Sequence, residues 1–108
     1  MTKIEKVISL LPKRRDYRLY GLIVLRDLVQ GKKVHMYKGW TNHNRTLMNK
    51  SGVLPTINAM DEAGMSYEYG NDAPRGGVLG KYIYTRKNQK ALSVIEAAIE
   101  SLRQEKQS

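Results

Sequence analysis

The hydrophobic period of this chain changes twice, and that change limits its fold more than any other feature. Up to Gly64 the apolar residues recur at three- and four-residue steps, from Met65 to Tyr84 they alternate with polar ones, and from Leu92 the helical step returns. A helix buries one stripe at a period of 3.6 and a strand buries one face at a period of two, so neither pattern serves for the other. An α+β, helix-rich architecture follows.

Recognisable stops divide the helical part. Ile4, Val7, Ile8 and Leu11 step along a first helix that Pro12 ends. After the basic connector Lys13-Arg14-Arg15, Asp16 is the expected N-cap of a second helix reaching about Gln30, with Gly31 as a left-handed C-cap. Leu19, Leu22, Ile23, Leu25, Leu28 and Val29 make that helix apolar on most sides, which predicts a central element. A strand through Tyr20–Leu25 competes, but length and caps favour the helix.

Val34 to Tyr37 reads as a short strand, with Trp40 anchoring the following turn. Thr41 to Asn49 reads as a short helix with Leu47 and Met48 inward and Arg45 outward, followed by a Ser51-Gly52 turn. A further helix starts with Pro55 at its first position, places Ile57 and Met60 on one face and ends at Gly64. Met65, Tyr67 and Tyr69, then Tyr82 and Tyr84, alternate on either side of the turn formers 70–77, which predicts a long-looped β-hairpin. Leu92, Ile95, Ile99 and Leu102 run along a last helix, 88–104, and the polar tail 105–108 is expected to fray.

The 108 residues are enough for one domain, and a hydrophobic fraction of 41% supports one modest core. Charge is unevenly spread: residues 1–50 hold 12 Lys/Arg and 3 Asp/Glu, whereas 51–108 hold 7 of each, so the formal +9 comes from the first half. Such an excess points to a polyanionic partner. Leu19 to Leu25, interrupted by Gly21, is too short to span a bilayer, and the N-terminus lacks the apolar core of a secretory signal. A cytoplasmic protein without a membrane partner is expected.

The segment Leu54-Pro55-Thr56-Ile57-Asn58-Ala59-Met60-Asp61-Glu62-Ala63-Gly64-Met65 and the following Asn71-Asp72-Ala73-Pro74-Arg75-Gly76-Gly77 resemble the recognition helix and wing of a winged helix-turn-helix domain. The pattern is similar to bacterial regulators of the MarR type and to phage excisionases. In that family a core helix and a short strand precede a two-helix unit, and a β-hairpin forms the wing. The resemblance covers about 16–86, and implies a winged-helix core with an added N-terminal helix and a C-terminal helix at 88–104. It also implies double-stranded DNA as the partner.

On that reading Thr56 and Asn58 are the outward polar residues near the start of the reading helix, where a side chain reaches base edges in the major groove. Arg75, at a Gly-rich tip, is placed to enter the minor groove. Phosphate contacts are expected from Lys13, Arg14, Arg15 and Arg18, from Asn44, Arg45 and Lys50, and from Lys81, Arg86 and Lys87. The reading helix carries Asp61 and Glu62 and no basic residue, which opposes phosphate contact along its whole length and supports a protein-interaction module instead. Tyr67, Tyr69, Tyr82 and Tyr84 offer a third option, a stacking platform for RNA or a single strand. Leu92, Ile95, Ile99 and Leu102 have the stepping of a homodimer seam, but equally suit packing on the N-terminal helix through Ile4, Val7 and Ile8.

Catalysis, metals and cofactors are not expected. The absence of Cys removes thiolate chemistry, and His35 and His43 lie eight apart without a carboxylate cluster. Asp61 and Glu62 are adjacent and diverge on a helix, and there is no phosphate loop or nucleophile elbow.

Overall fold

The computed structural model describes residues 1–36, 53–74 and 80–105. The expected strand end at Tyr37, the Trp40 anchor, the helix at 41–49 with Asn44 and Arg45, Lys50, the Ser51-Gly52 turn, Arg75-Gly76-Gly77 and the tail 106–108 lie outside the described residues. Among the described residues there are four helices and a three-stranded antiparallel sheet.

Helix α1 is Lys3–Leu10. A capping box starts it: the Glu5 amide donates to Thr2 Oγ1 (3.2 Å) and the Thr2 amide donates to Glu5 Oε1 (3.0 Å). The Thr2 amide, then the Thr2 hydroxyl (2.9 Å), both donating to Glu5 Oε1, hold the Glu5 carboxyl below the usual carboxylate range. Helix α2 is Arg15–Val29, and its N-cap is Arg14, which makes no side-chain capping bond. Asp16 is therefore not the cap. The helix starts two residues earlier than that cap implies, and Asp16 sits in the first turn, where its charge complements the helix dipole and pairs with Arg14 Nε at 2.9 Å. The other end matches expectation: Gly31 has φ +82°, its amide donates to Leu28 O, and the Lys32 amide donates to Asp27 O.

Strand β1 is Val34–His35. Helix α3 is Val53–Ala63, so Pro55 lies third in the helix, still within the turn whose amides have no intrahelical acceptor. Gly64 (φ +77°) ends it, with the Met65 amide donating to Met60 O. Strands β2 (Glu68–Asn71) and β3 (Lys81–Tyr84) form the hairpin, and β3 also pairs with β1, which gives the order β1-β3-β2. Helix α4 is Gln89–Glu105; the Asn88 side chain caps it by accepting from the Ala91 amide.

One cluster of buried residues joins the four helices to β1 and β3. Leu22, Leu25 and Leu28 of α2 sit at its centre with Val7 of α1, Val53 and Met60 of α3, Ile83 of β3 and Ile95 of α4. Helix α2 packs against α4 and α3, and α1 packs against α3 and α4. The stripe Leu92, Ile95, Ile99 and Leu102 is buried within this core, none of the four more than 9% exposed. The amphipathic faces of α2 and α4 cover each other, so this stripe packs within the chain's own core.

Candidate nucleic-acid interface

Helix α3 turns Val53, Thr56, Ile57, Ala59, Met60 and Ala63 inward and leaves Leu54, Asn58, Asp61 and Glu62 exposed. Asn58 is outward, as expected. Thr56 is not: its exposure is 0%. The steps from Val53 to Thr56, Ile57 and Met60 are three, four and seven residues, which put Thr56 in the middle of the apolar stripe. The expectation weighed its polarity above its phase. Its hydroxyl finds no hydrogen-bond partner among the described residues and lies 3.2 Å from where a Cβ on Gly21 would stand, so α2 and α3 pack closely there beside a glycine.

The acidic end of α3 is tied to the hairpin. Tyr67 donates its phenol to Asp61 Oδ1 at 2.7 Å, and Tyr69 donates to the Tyr67 hydroxyl at 3.4 Å. Burial first, then these two hydrogen bonds, push the Tyr67 phenol well above its ordinary range. Asp61 thus belongs to the joint between α3 and the hairpin, whereas Glu62 is exposed.

The tyrosines do not form one platform. Tyr69 pairs with Ile83 and Glu68 with Tyr84 across the hairpin, and residues opposite each other share a face. Tyr67 and Tyr69 therefore lie on the face of buried Ile83, whereas Tyr82 and Tyr84 lie on the other face. Tyr82 is largely spoken for. Its hydroxyl end stands over Gly70, its ring takes Lys33 Nζ at 4.7 Å, and His35 meets it edge-on at 5.7 Å.

The basic residues fall into two zones. At the α1–α2 corner, Arg18 Nη1 donates to the carbonyls of Leu11 (3.2 Å) and Pro12 (3.4 Å), and Arg14 pairs with Asp16 and lies over Tyr17. Arg15 is half-buried, while Lys13 and Arg14 are exposed. Arg18 is thus first a clasp on the exit of α1. The second zone is at the opposite end of α2, about 22 Å away for a 15-residue helix. There Lys87 lies against Gly31, next to Lys32 and Lys33; Lys81, at the other end of β3, extends over Tyr69 at 5.2 Å. Arg86 lines an open groove of about 600 Å³ with Met65, Glu68, Tyr84 and Asn88.

Sequence reasoning placed Lys81, Arg86 and Lys87 in the interface and overlooked Lys32 and Lys33, whose adjacency to the Gly31 cap was visible. It also overlooked Asp72 and His35. Asp72 Oδ2 accepts from His35 Nε2 at 2.7 Å, and Oδ1 accepts from Lys33 Nζ at 3.3 Å. A carboxylate can only accept, so Nε2 carries the ring proton in this contact. The His35 bond, then Lys33, hold the Asp72 carboxyl below its ordinary range against partial desolvation.

Among the described residues, no three or more His, Asp or Glu side chains gather into a group able to hold a metal ion, and no helix is long and apolar enough to cross a membrane. Comparison of the chain with protein-family models, with curated proteins and with solved structures found no match.

Proposed function

We propose that this chain is a non-enzymatic, cytoplasmic winged helix-turn-helix protein that binds double-stranded DNA, as a transcriptional regulator or as an accessory factor in the recombination of a mobile element. The observation that carries the reading is the sheet order. Strand β1 follows the central helix and pairs with β3, the returning strand of a hairpin that begins directly after α3. That is the layout in which a winged domain ties its wing to the helix ahead of it.

Charge supports the reading: Lys87 lies against Gly31, next to Lys32 and Lys33 at the exit of α2, and in the sequence the segments 37–52 and 75–79 carry Lys38, Arg45, Lys50 and Arg75 and no acid. Asn58 is the base-reading candidate on α3 and Arg75 the minor-groove candidate. Thr56 drops out, and a homodimer would have to form through a surface other than Leu92, Ile95, Ile99 and Leu102.

The test is selection from a random duplex library at two salt concentrations, followed by anisotropy titrations of the enriched sequence. With about five phosphates neutralised, log K should fall against log salt with a slope of about −4 to −5. A flat salt dependence, or no enrichment, refutes the reading. One observation favours a second: the exposed strip of α3 is Leu54, Asn58, Asp61 and Glu62, without a basic residue, which suits a protein partner. In that case a Leu54→Asp variant loses the partner and leaves duplex affinity untouched.

A further inference from the structure

We propose that Asp72 is a positioning residue for duplex binding: by bridging from the end of β2 to His35 and Lys33 it sets the pose in which the hairpin meets DNA. The inference rests on the duplex-binding reading above and adds to it a residue of the wrong charge for contact.

The sheet order makes the bridge unusual. Strand β2 pairs only with β3, so Asp72 must reach across β3 to meet residues of β1 and its lead-in, 37 and 39 positions away in the chain. Neighbouring strands lie about 4.8 Å apart, so the gap is roughly 10 Å. It can be crossed because the residue facing Asp72 is Gly80, whose carbonyl accepts the Asp72 amide at 2.9 Å and which has no side chain to intervene. On the same outer face Tyr82 stands over Gly70, and His35 and Lys33 close over the Tyr82 ring.

Strand β1 is two residues long, and its register on β3 consists of Val34 with Ile83 and His35 with Tyr82, extended by the Met36 amide donating to Lys81 O. Asp72 and Gly80 are the last described rung before the hairpin's tip. A two-point carboxylate bridge at that rung holds the end of β2 against β1 and its lead-in.

Electrostatics alone predicts the reverse consequence. A carboxylate close to a polyanion repels it, so its removal should tighten binding. The positioning role predicts weaker binding instead. The experiment titrates the selected duplex by fluorescence anisotropy over a salt series with wild type, Asp72→Asn, His35→Gln and the double variant. Glu96→Gln, an exposed carboxylate removed from α4, is the charge-matched control.

Asp72→Asn is expected to weaken binding about five- to tenfold and to lower the salt slope by about one for each phosphate contact the hairpin loses. His35→Gln removes no fixed charge and is expected to give part of the same loss. The double variant should be no worse than Asp72→Asn, since the two residues act as one unit. Glu96→Gln should bind as wild type or slightly tighter. Circular dichroism melts verify that each protein titrated is folded; should Asp72→Asn not fold, His35→Gln with its salt slope decides. Equal or tighter binding by Asp72→Asn with an unchanged slope overturns the positioning role alone. A wild-type protein that binds no duplex overturns the duplex reading and this inference with it.

Discussion

Replacing Thr56 by Val separates the packing of α3 from its surface more cleanly than any other change. Thr56 is 0% exposed and its hydroxyl has no hydrogen-bond partner among the described residues. A buried hydroxyl left unsatisfied costs about 1–3 kcal/mol, because it gives up water and gains nothing in return. Valine keeps the branched shape and replaces the hydroxyl by a methyl, and the two residues have similar helix propensity. The methyl is slightly larger than the hydroxyl in a fully buried position, so part of the gain is offset, and a net stabilisation of about 1–2 kcal/mol is expected. For a domain of this size that raises Tm by about 4–10 °C.

Thr56→Ser provides the opposite sign, since it keeps the orphan hydroxyl and deletes the buried methyl, for a loss of about 1 kcal/mol. Urea titrations followed by circular dichroism at 222 nm should show the midpoint moving up for Val and down for Ser at constant slope. Duplex affinity should be the same for both as for wild type, whereas Asn58→Ala should weaken it. Destabilisation by Val, or loss of duplex binding by a folded Thr56→Val protein, would refute the argument: it would place Thr56 on the outer face and rotate α3 by about 100°.

Other variants test other joints. Gly70→Ala would drive a Cβ into the Tyr82 ring and should cost about 1–3 kcal/mol, yet be neutral or stabilising beside Tyr82→Ala; additive losses in urea titrations would contradict the close packing. Gly31→Ala and Gly64→Ala both force a side chain to positive φ, at about 1 kcal/mol each, but only Gly31 also meets Lys87 Cγ at 2.9 Å. Gly31→Ala should therefore melt lower, and equal melting temperatures would show that backbone strain alone matters. The depressed Asp72 carboxyl predicts an acid limb. The unfolded state takes up its proton first, so this contribution is complete above about pH 4 and is lost as pH falls through the lower, folded value. Urea midpoints measured from pH 5 down to pH 2 should fall less steeply for Asp72→Asn than for wild type, and parallel curves would show that the bridge is not maintained in solution.

What the sequence determined by itself is what depends on neighbours along the chain. The steps of Ile4, Val7 and Leu11, the Gly31 and Gly64 exits and the tyrosine alternation around a glycine-rich turn each act within a few residues, so helix, cap and hairpin were legible without a fold. The Thr2–Glu5 capping box was equally local and was passed over, and the Asp16 cap was off by two positions because several polar residues at the corner suit that role. Which surface each element shows was not local. Thr56 is inside because Val53 opens the helix and Gly21 of α2 admits α3. The stripe of α4 is consumed by α2 and α1 of the same chain, although the same residues would suit a copy. The tyrosines divide between two faces because of a register that pairs Tyr69 with Ile83. Asp72 meets His35 only because β3 lies between their strands and presents Gly80 beneath them. Periodicity specifies that a face exists; the partner that covers it is decided by contacts between distant segments, and those exist only once the chain has folded.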